Sequence, residues 1–275
     1  MNFLHIILII IVITLVYMRI ETRFVQVKEV MFTKNKNCLK IVQLSDIHIN
    51  FLGVPARVIR EVISSEKPDI ILLTGDYVSK PSHVDAFLNF LKEINCGHNM
   101  YLSLGNHDFK AFLKNKKTGT VDTDALDKFI ESIQSTNISV LHNRSICFEK
   151  NSKKYNITGI SDMKYRMHNI EKAFTSASPD SFMNITISHN PDIVFDIPEG
   201  KADYLFCGHF HGGQIWAPFG IEFRLMRREK LCKIGIRHGL HKVNGINLYI
   251  NRGIGNVLFP LRFLSRPEIT VFYLP

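Results

Sequence analysis

The amino-acid sequence predicts an α/β protein that begins as parallel strand–helix units and turns strand-rich in its second half. Three observations predict it. Short apolar runs such as Ile70-Ile71-Leu72-Leu73 are too short for core helices and too continuous for half-exposed strands, so they read as strands buried on both faces. Through the first half those runs alternate with stretches of helical length, the order that parallel βαβ units require. In the second half the regular helix spacing fades and strand-like runs crowd together, which points to a mixed sheet, or to two packed sheets flanked by helices.

Taken in order, residues 3–18 come first: an apolar run broken only by His5 and Thr14 and followed by Arg19, Arg23 and Lys28. Its length is close to the lower limit of about 17 residues for a helix that crosses a bilayer. A cleaved leader would open with basic residues and end at small ones, whereas this chain starts Met-Asn-Phe and shows no A-x-A-like site, so an uncleaved single-pass anchor is expected. The cations on its C-terminal side place the rest of the chain in the cytoplasm. The expected organisation is an anchor at 1–20, a connector at 21–38 and one catalytic domain at 39–275.

Within the domain, a strand at 39–45 ends at Asp46-Ile47-His48, and a helix at 55–65 leads to a strand at 69–74 that stops at Gly75-Asp76. A helix at 83–94 leads to a strand at 100–104 and then Gly105-Asn106-His107-Asp108. After a helix at 123–134 come strands at 145–148 and 155–160, one at 184–188 ending at His189, and one at 204–207 ending at Gly208-His209-Phe210-His211. Strands at 246–250 and 269–273 close the chain. In open α/β sheets ligands gather beyond the carboxyl ends of strands, so these clusters, distant in sequence, are expected to meet.

Composition narrows the chemistry. With 45% hydrophobic and 21% charged residues the chain is an ordinary globule, neither disordered nor a repeat. Five cysteines, spread out and without a C-x-x-C pair, argue against a structural zinc or redox site and for reduced thiols. The net charge of +9 favours anionic partners. No aromatic stacking series or nucleic-acid module turns that charge toward DNA or RNA.

The strand ends collect Asp46, His48, Asp76, Asn106, His189, His209 and His211. Imidazole nitrogens with carboxylate and amide oxygens suit two borderline divalent ions, Mn²⁺ first, with Fe²⁺ or Zn²⁺ as alternatives; an all-oxygen shell would have pointed to Mg²⁺ or Ca²⁺. Asp46-x-His48 and His209-x-His211 each put two side chains on one face of an extended backbone, as a chelating pair needs. Asp76, isolated at the end of a buried strand after a permissive Gly75, suits an anion shared between two cations. Taken singly, each residue has a plainer reading, because 12 histidines make chance pairs, Asn106 is a common turn residue and Asp76 or Asp108 can cap a helix. Capping preferences do not reproduce their joint occurrence at strand end after strand end.

These clusters, in this order, resemble the motifs of the calcineurin-like metallophosphoesterases, from about Leu39 to the C-terminus. The resemblance implies a four-layer αββα sandwich of two mixed sheets flanked by helices, and a metal-dependent phosphoric ester hydrolase. It implies Asp46, His48, Asp76 and His211 around one metal and Asp76, Asn106, His189 and His209 around the other, with Asp76 bridging. Two cations about 3.5–4 Å apart activate water and clamp phosphoryl oxygens for in-line attack. His107 resembles the family's histidine that protonates the leaving oxygen, with Asp108 either orienting it through the other ring nitrogen or capping a helix. The family's usual His-Thr-His reads His209-Phe210-His211 here, a change in the pocket wall and not in a ligand. A non-catalytic metal-binding scaffold would have lost ligands, and none is missing.

Gly208 through Gln214, Asn251-Arg252-Gly253-Ile254-Gly255, Pro260-Leu261-Arg262 and Arg266-Pro267-Glu268-Ile269 are similar to the membrane-anchored bacterial branch of that family. The branch implies the bacterial inner membrane and a phosphorylated lipid or small phosphodiester as substrate, in some relatives UDP-2,3-diacylglucosamine, with Arg252 and Arg262 as substrate-binding cations. A basic loop of Arg224, Arg227, Arg228, Lys230 and Lys233, and bulky apolar residues at 257–264, suit a membrane-surface substrate or an acyl-chain groove. They equally suit a solvated loop beside a core segment. The sequence leaves the oligomeric state open.

Overall fold

The computed structural model of the protein describes residues 2–35 and 37–275. Its strands run in chain order as β1 (Gln26–Met31), β2 (Leu39–Leu44), β3 (Ile70–Thr74), β4 (Asn99–Ser103), the short pair β5 (Leu113–Asn115) and β6 (Thr120–Val121), β7 (Ser139–Val140), β8 (Arg144–Lys150), β9 (Lys153–Ile160), β10 (Met183–Ser188), β11 (Tyr204–Cys207), β12 (Gly239–Val243), β13 (Ile246–Ile250) and β14 (Glu268–Leu274). The helices are α1 (Phe3–Glu21), α2 (Ala56–Glu66), α3 (Val84–Ile94), α4 (Asn106–Ala111), α5 (Thr123–Gln134), α6 (Ile170–Thr175), α7 (Ile221–Met226) and α8 (Lys230–Lys233).

Two six-stranded sheets result, ordered β1-β14-β2-β3-β4-β7 and β12-β13-β11-β10-β9-β8. Both are mixed. In the first, β2, β3, β4 and β7 are parallel and β14 runs antiparallel to β2. In the second, β9, β10, β11 and β13 are parallel, with β8 and β12 antiparallel at its edges.

The period of two along each strand explains why the sheets stack. On β2 and β3, Leu39, Ile41, Ile70 and Leu72 face the second sheet and meet Ile185, Ile187 and Phe206. The alternate residues Val42, Leu44, Ile71 and Leu73 face outward, against Ile59 and Ile63 of α2 and Phe87 and Leu91 of α3. Those helix residues recur at i and i+4, so each helix offers one apolar stripe. The outer face of the second sheet, including Leu205 and Leu248, is covered by Ile193 and Val194 of the 3₁₀ turn Pro191–Phe195 and by Phe223 and Leu231 of α7 and α8. Helix, sheet, sheet and helix therefore form the four layers that the resemblance implied.

The expected connector at 21–38 is not one throughout. Within it β1 pairs in parallel with β14, from Gln26 opposite Glu268 to Met31 opposite Tyr273. Only Val30 of this edge strand is buried, and Lys28 and Glu29 interrupt any apolar alternation, so neither periodicity nor burial marks it in the sequence. The globular part thus begins before the boundary expected at residue 39.

α1 spans 19 residues, of which only Met18 and Glu21 are buried. Its last turn is tied to the domain. Arg262 N donates to Met18 O (3.1 Å), Leu264 N and Ser265 N donate to the Glu21 carboxylate (3.0 and 3.1 Å), and the rings of Tyr17 and Phe263 meet edge to face at 6.0 Å.

Candidate metal centre

The loops that follow β2, β3, β4, β10 and β11 converge at one edge of the sandwich. The first two run side by side, with Asp46 N donating to Gly75 O (3.0 Å) and His48 N to Asp76 O (2.9 Å). Each chain reversal is abrupt: Asp46 (φ 50°), His48 (φ 39°), Asp76 (φ 60°), His209 (φ 75°) and His211 (φ 54°) all occupy the left-handed region. Such conformations cost on the order of 1–3 kcal/mol each and persist only where the surroundings over-determine them. The expectation that Asp46 with His48, and His209 with His211, share a face of an extended backbone is therefore corrected. They converge because the chain turns left-handed at each of them.

Two glycines make the crowding possible. A Cβ on Gly75 (φ 89°) would lie 2.7 Å from His189 Nδ1, and one on Gly208 would overlap Ser45 Oγ and Asp46 Oδ2.

The side chains sort into two buried groups, Asp46, His48 and His211 in one and Asp76, His189 and His209 in the other, each with its donor atoms within 4.8 Å of one another. In the first, His211 Nε2 lies 3.1 Å from Asp46 Oδ1 and 3.2 Å from His48 Nε2. In the second, His189 Nε2 lies 3.0 Å from Asp76 Oδ2 and 3.1 Å from His209 Nδ1. Asp76 Oδ2 also stands 3.6 Å from His48 Nε2, so one carboxylate oxygen reaches a histidine of each group.

The hydrogen bonds around the groups select which ring nitrogens face inward. His189 Nδ1 pairs with Thr74 O at 2.8 Å, which puts the proton on Nδ1 and leaves Nε2 as the free lone pair. His209 Nε2 meets Glu229 Oε1 at 2.8 Å, leaving Nδ1 toward His189. The Asn106 side-chain oxygen is buried without any partner, as a donor awaiting a cation would be. Nitrogen and oxygen donors of this mixture fit a borderline divalent ion in each group.

The electrostatics agree. Burial pushes the Asp46 carboxyl up, but the facing His211 and His189 outweigh it and hold it well below the usual carboxylate range. Burial works against a proton on His189, yet Asp76 and Asp46 raise its pKa to about 10. Two carboxylates thus demand a positive charge at this point, which a proton or a cation can supply. Burial brings His209 down to about 4, and His48, His211 and His107 are lowered chiefly by the same cause.

Above the groups opens a cleft of about 650 Å³, lined by Asp76, Asn106, His107, His209 and His211 and rimmed by the cations Lys110, Lys164, Arg227 and Arg228. A family model described as calcineurin-like phosphoesterase matches residues 39–213, more than half of the chain. The chain belongs to the calcineurin-like phosphoesterases. It is accordingly a metal-dependent phosphoric ester hydrolase. It is 30% identical over 235 residues to the uncharacterized metallophosphoesterase YkoQ of Bacillus subtilis, covering 84% of this chain and 82% of that one. It is 29% identical to UDP-2,3-diacylglucosamine pyrophosphatase LpxG of Chlamydia muridarum, covering 85% and 82%, and 28% identical to phosphodiesterase YaeI of Escherichia coli, covering 88% and 84%.

Within this calcineurin-like site three expectations take a different form. Asp108 does not orient His107. Its carboxylate accepts the backbone N–H groups of Gly105, Asp76, Tyr77 and Val78 at 2.8–3.0 Å, so it caps α4 and ties the β3 loop to the β4 loop. Burial and the charge of Asp76 push it up to about 7 against the donors of Val78, Gly105 and Tyr77. His107, at the start of α4, instead places Nδ1 3.1 Å from Ser79 Oγ and its ring 4.8 Å edge-on from that of His48.

Arg262 lies behind the site. Fully buried, it donates to Asn256 Oδ1 and to the carbonyls of Ser265, Arg252, Gly253 and Gly255. Arg252 stands 3.8 Å from Glu268 and does not line the cleft. Both were expected to bind substrate; Arg262 instead braces the loop that carries it, and Arg252 faces Glu268. Sequence reasoning also missed Glu229, the carboxylate on His209, because one acid inside Arg227-Arg228-Glu229-Lys230 gives no signal. Buried Asp162, just beyond the end of β9, could have been found by its strand-end position.

Proposed function

We propose that the protein hydrolyses a phosphodiester or pyrophosphate bond of a lipid-linked substrate at a membrane surface, with α1 as the anchor and the domain on the cytoplasmic side of a bacterial inner membrane. The observation that carries this reading is the pairing of a cation-rimmed cleft over two histidine–carboxylate groups with an exposed apolar helix fastened beside it. Asp46, His48, Asp76 and His211 hold one divalent cation and Asp76, Asn106, His189 and His209 the other, Mn²⁺ being the first candidate. When bound, the cations supply the positive charge that polarises the phosphoryl oxygens.

The chain's own residues do the rest. His107, at the cleft mouth, hands a proton to the leaving oxygen. Lys110, Lys164, Arg227 and Arg228 orient the phosphate. Asp108 keeps the β3 and β4 loops together so that Asp76 and Asn106 stay in place.

UDP-2,3-diacylglucosamine is the specific candidate, supported by the likeness to the Chlamydia pyrophosphatase; the likeness to YaeI supports a broader phosphodiesterase. The test is hydrolysis by the full-length, Mn²⁺-loaded protein of a chromogenic phosphodiester, the matching monoester and UDP-2,3-diacylglucosamine, each against His107→Ala. Fast turnover of the nucleotide lipid assigns the narrower activity, and activity on the simple diester alone assigns the broader one. Absence of metal-dependent turnover on all three rejects the proposal.

A further inference from the structure

Beside the metal cleft lies a second cavity of about 340 Å³, walled by Ile215, Ala217, Ile221, Phe223 and Phe259 among others. We propose that it is an acyl-chain subsite, which leads the hydrocarbon tail of the substrate from the metal centre to the base of α1. This rests on the lipid-substrate reading given above and specifies where the lipid part is held.

The cavity and the cleft adjoin. Both are lined by His211, Met226, Arg227, Val257 and Leu258, so the inner end of the groove abuts a residue of one metal group and a rim cation. The wall offers almost nothing to a sugar or a base. Gln214 spends its amide on Val257 O and Phe259 O (2.9 and 3.0 Å), and Glu222 is the one carboxylate among the lining residues. Apart from Gln214, Glu222, His211 and Arg227 the wall is apolar, and each methylene buried against it gains roughly fourfold in affinity.

The outer end explains where such a chain comes from. Phe259, 61% exposed, lines the groove, and Phe219 and Leu225, at 84% and 81% exposure, sit in the chain next to or near the lining residues Ala217, Ile221, Phe223 and Met226. A patch of that kind on a soluble protein marks a surface with an apolar partner. Here it adjoins the apolar helix: Trp216 N donates to Phe263 O (2.9 Å), and Phe263 in turn packs on Tyr17 of α1. Apolar residues therefore extend from α1 through Phe263 and Trp216 to the groove, which adjoins the cationic cleft. That is the order tail, then phosphate, of a lipid phosphoester lying in a leaflet.

The test uses full-length protein in nanodiscs and two chromogenic diesters, p-nitrophenyl methyl phosphate and p-nitrophenyl dodecyl phosphate. Ala217→Trp, which fills the groove, and Ile221→Asp, which makes it polar, should each lower kcat/KM for the dodecyl ester at least tenfold and leave the methyl ester within twofold. Trp216 is the single tryptophan of the chain and sits between two wall residues, so a second readout is free of turnover. A brominated dodecyl phosphate should quench it saturably in the wild type and not in Ile221→Asp. If wild type prefers the dodecyl ester and neither variant changes that, or quenching is equal in both proteins, the groove assignment falls while the lipid reading stands. If wild type turns over both esters alike, the lipid reading falls with it.

Discussion

The floor of the metal centre consists of packed side chains from strand ends of both sheets, whereas the part of its rim at 214–234 and 257–264 is made of short helices and turns with Phe219, Leu225 and Phe259 in the open. On the floor three of the donor side chains are aimed by further bonds. Thr74 O sets His189, Ser45 Oγ and His209 N hold Asp46, and His107 N holds Asp76. On the rim, Arg228 and Lys230 are anchored mainly through their backbones. The difference teaches that the two parts fail differently. A floor substitution removes chemistry outright, because buried charge has no alternative partner. A rim substitution grades it according to what the substrate brings.

Substitutions should separate the two, beginning with the most damaging. Asp76→Asn should empty both metal groups and abolish turnover, read by elemental analysis beside activity; loss of one metal alone would show that the floor is two independent halves. His107→Ala should keep both metals and slow turnover by about 10²–10⁴-fold, the usual range for a general acid; a fall in metal content would move His107 into the ligand set. Glu229→Gln, which leaves His209 without its carboxylate, should weaken metal binding by roughly 10–100-fold in chelator titrations. Arg228→Ala should raise KM a few-fold with kcat unchanged, and a kcat effect would extend the floor's behaviour to the rim.

Arg262→Met should affect turnover per folded molecule least of all. It should nonetheless cost about 3–5 kcal/mol in denaturant unfolding, since it orphans several buried carbonyl oxygens worth roughly 1–3 kcal/mol each. Normal stability with a raised KM would return Arg262 to substrate binding. Proton release offers a further check on the floor. Because His189 is raised to about 10, it carries its proton at pH 7 when no cation is bound, and metal uptake should release about one proton in calorimetry across buffers of different ionisation enthalpy.

The floor was legible in the sequence for a physical reason. A strand buried on both faces is a continuous apolar run, and Asp46, Asp76, Asn106, His189 and His209 break such runs where a polar group has no business in a core. The same logic fails for β1 and β12, edge strands whose residues are mostly exposed or half-buried and carry no run to interrupt. It fails again for Asp108 and Arg262, whose partners are mainly backbone groups fixed only by the folded path of the chain. The left-handed turns that gather the floor are invisible as well, since Asp and His at those positions look like any turn residues.

The short step from α1 to the domain has a kinetic consequence. Only four residues separate Glu21 from Gln26, and the Glu21 carboxylate grips Leu264 N and Ser265 N while Ser265 Oγ donates to His211 O. The helix is thus a strut with no slack, two hydrogen bonds away, through Ser265, from the backbone of a floor histidine. With α1 in a bilayer, the catalytic mouth would ride at a fixed height and tilt, sampling molecules that diffuse laterally past it. Its rate would then follow the number of substrate molecules per unit area of membrane, and diluting the aqueous phase would leave it untouched.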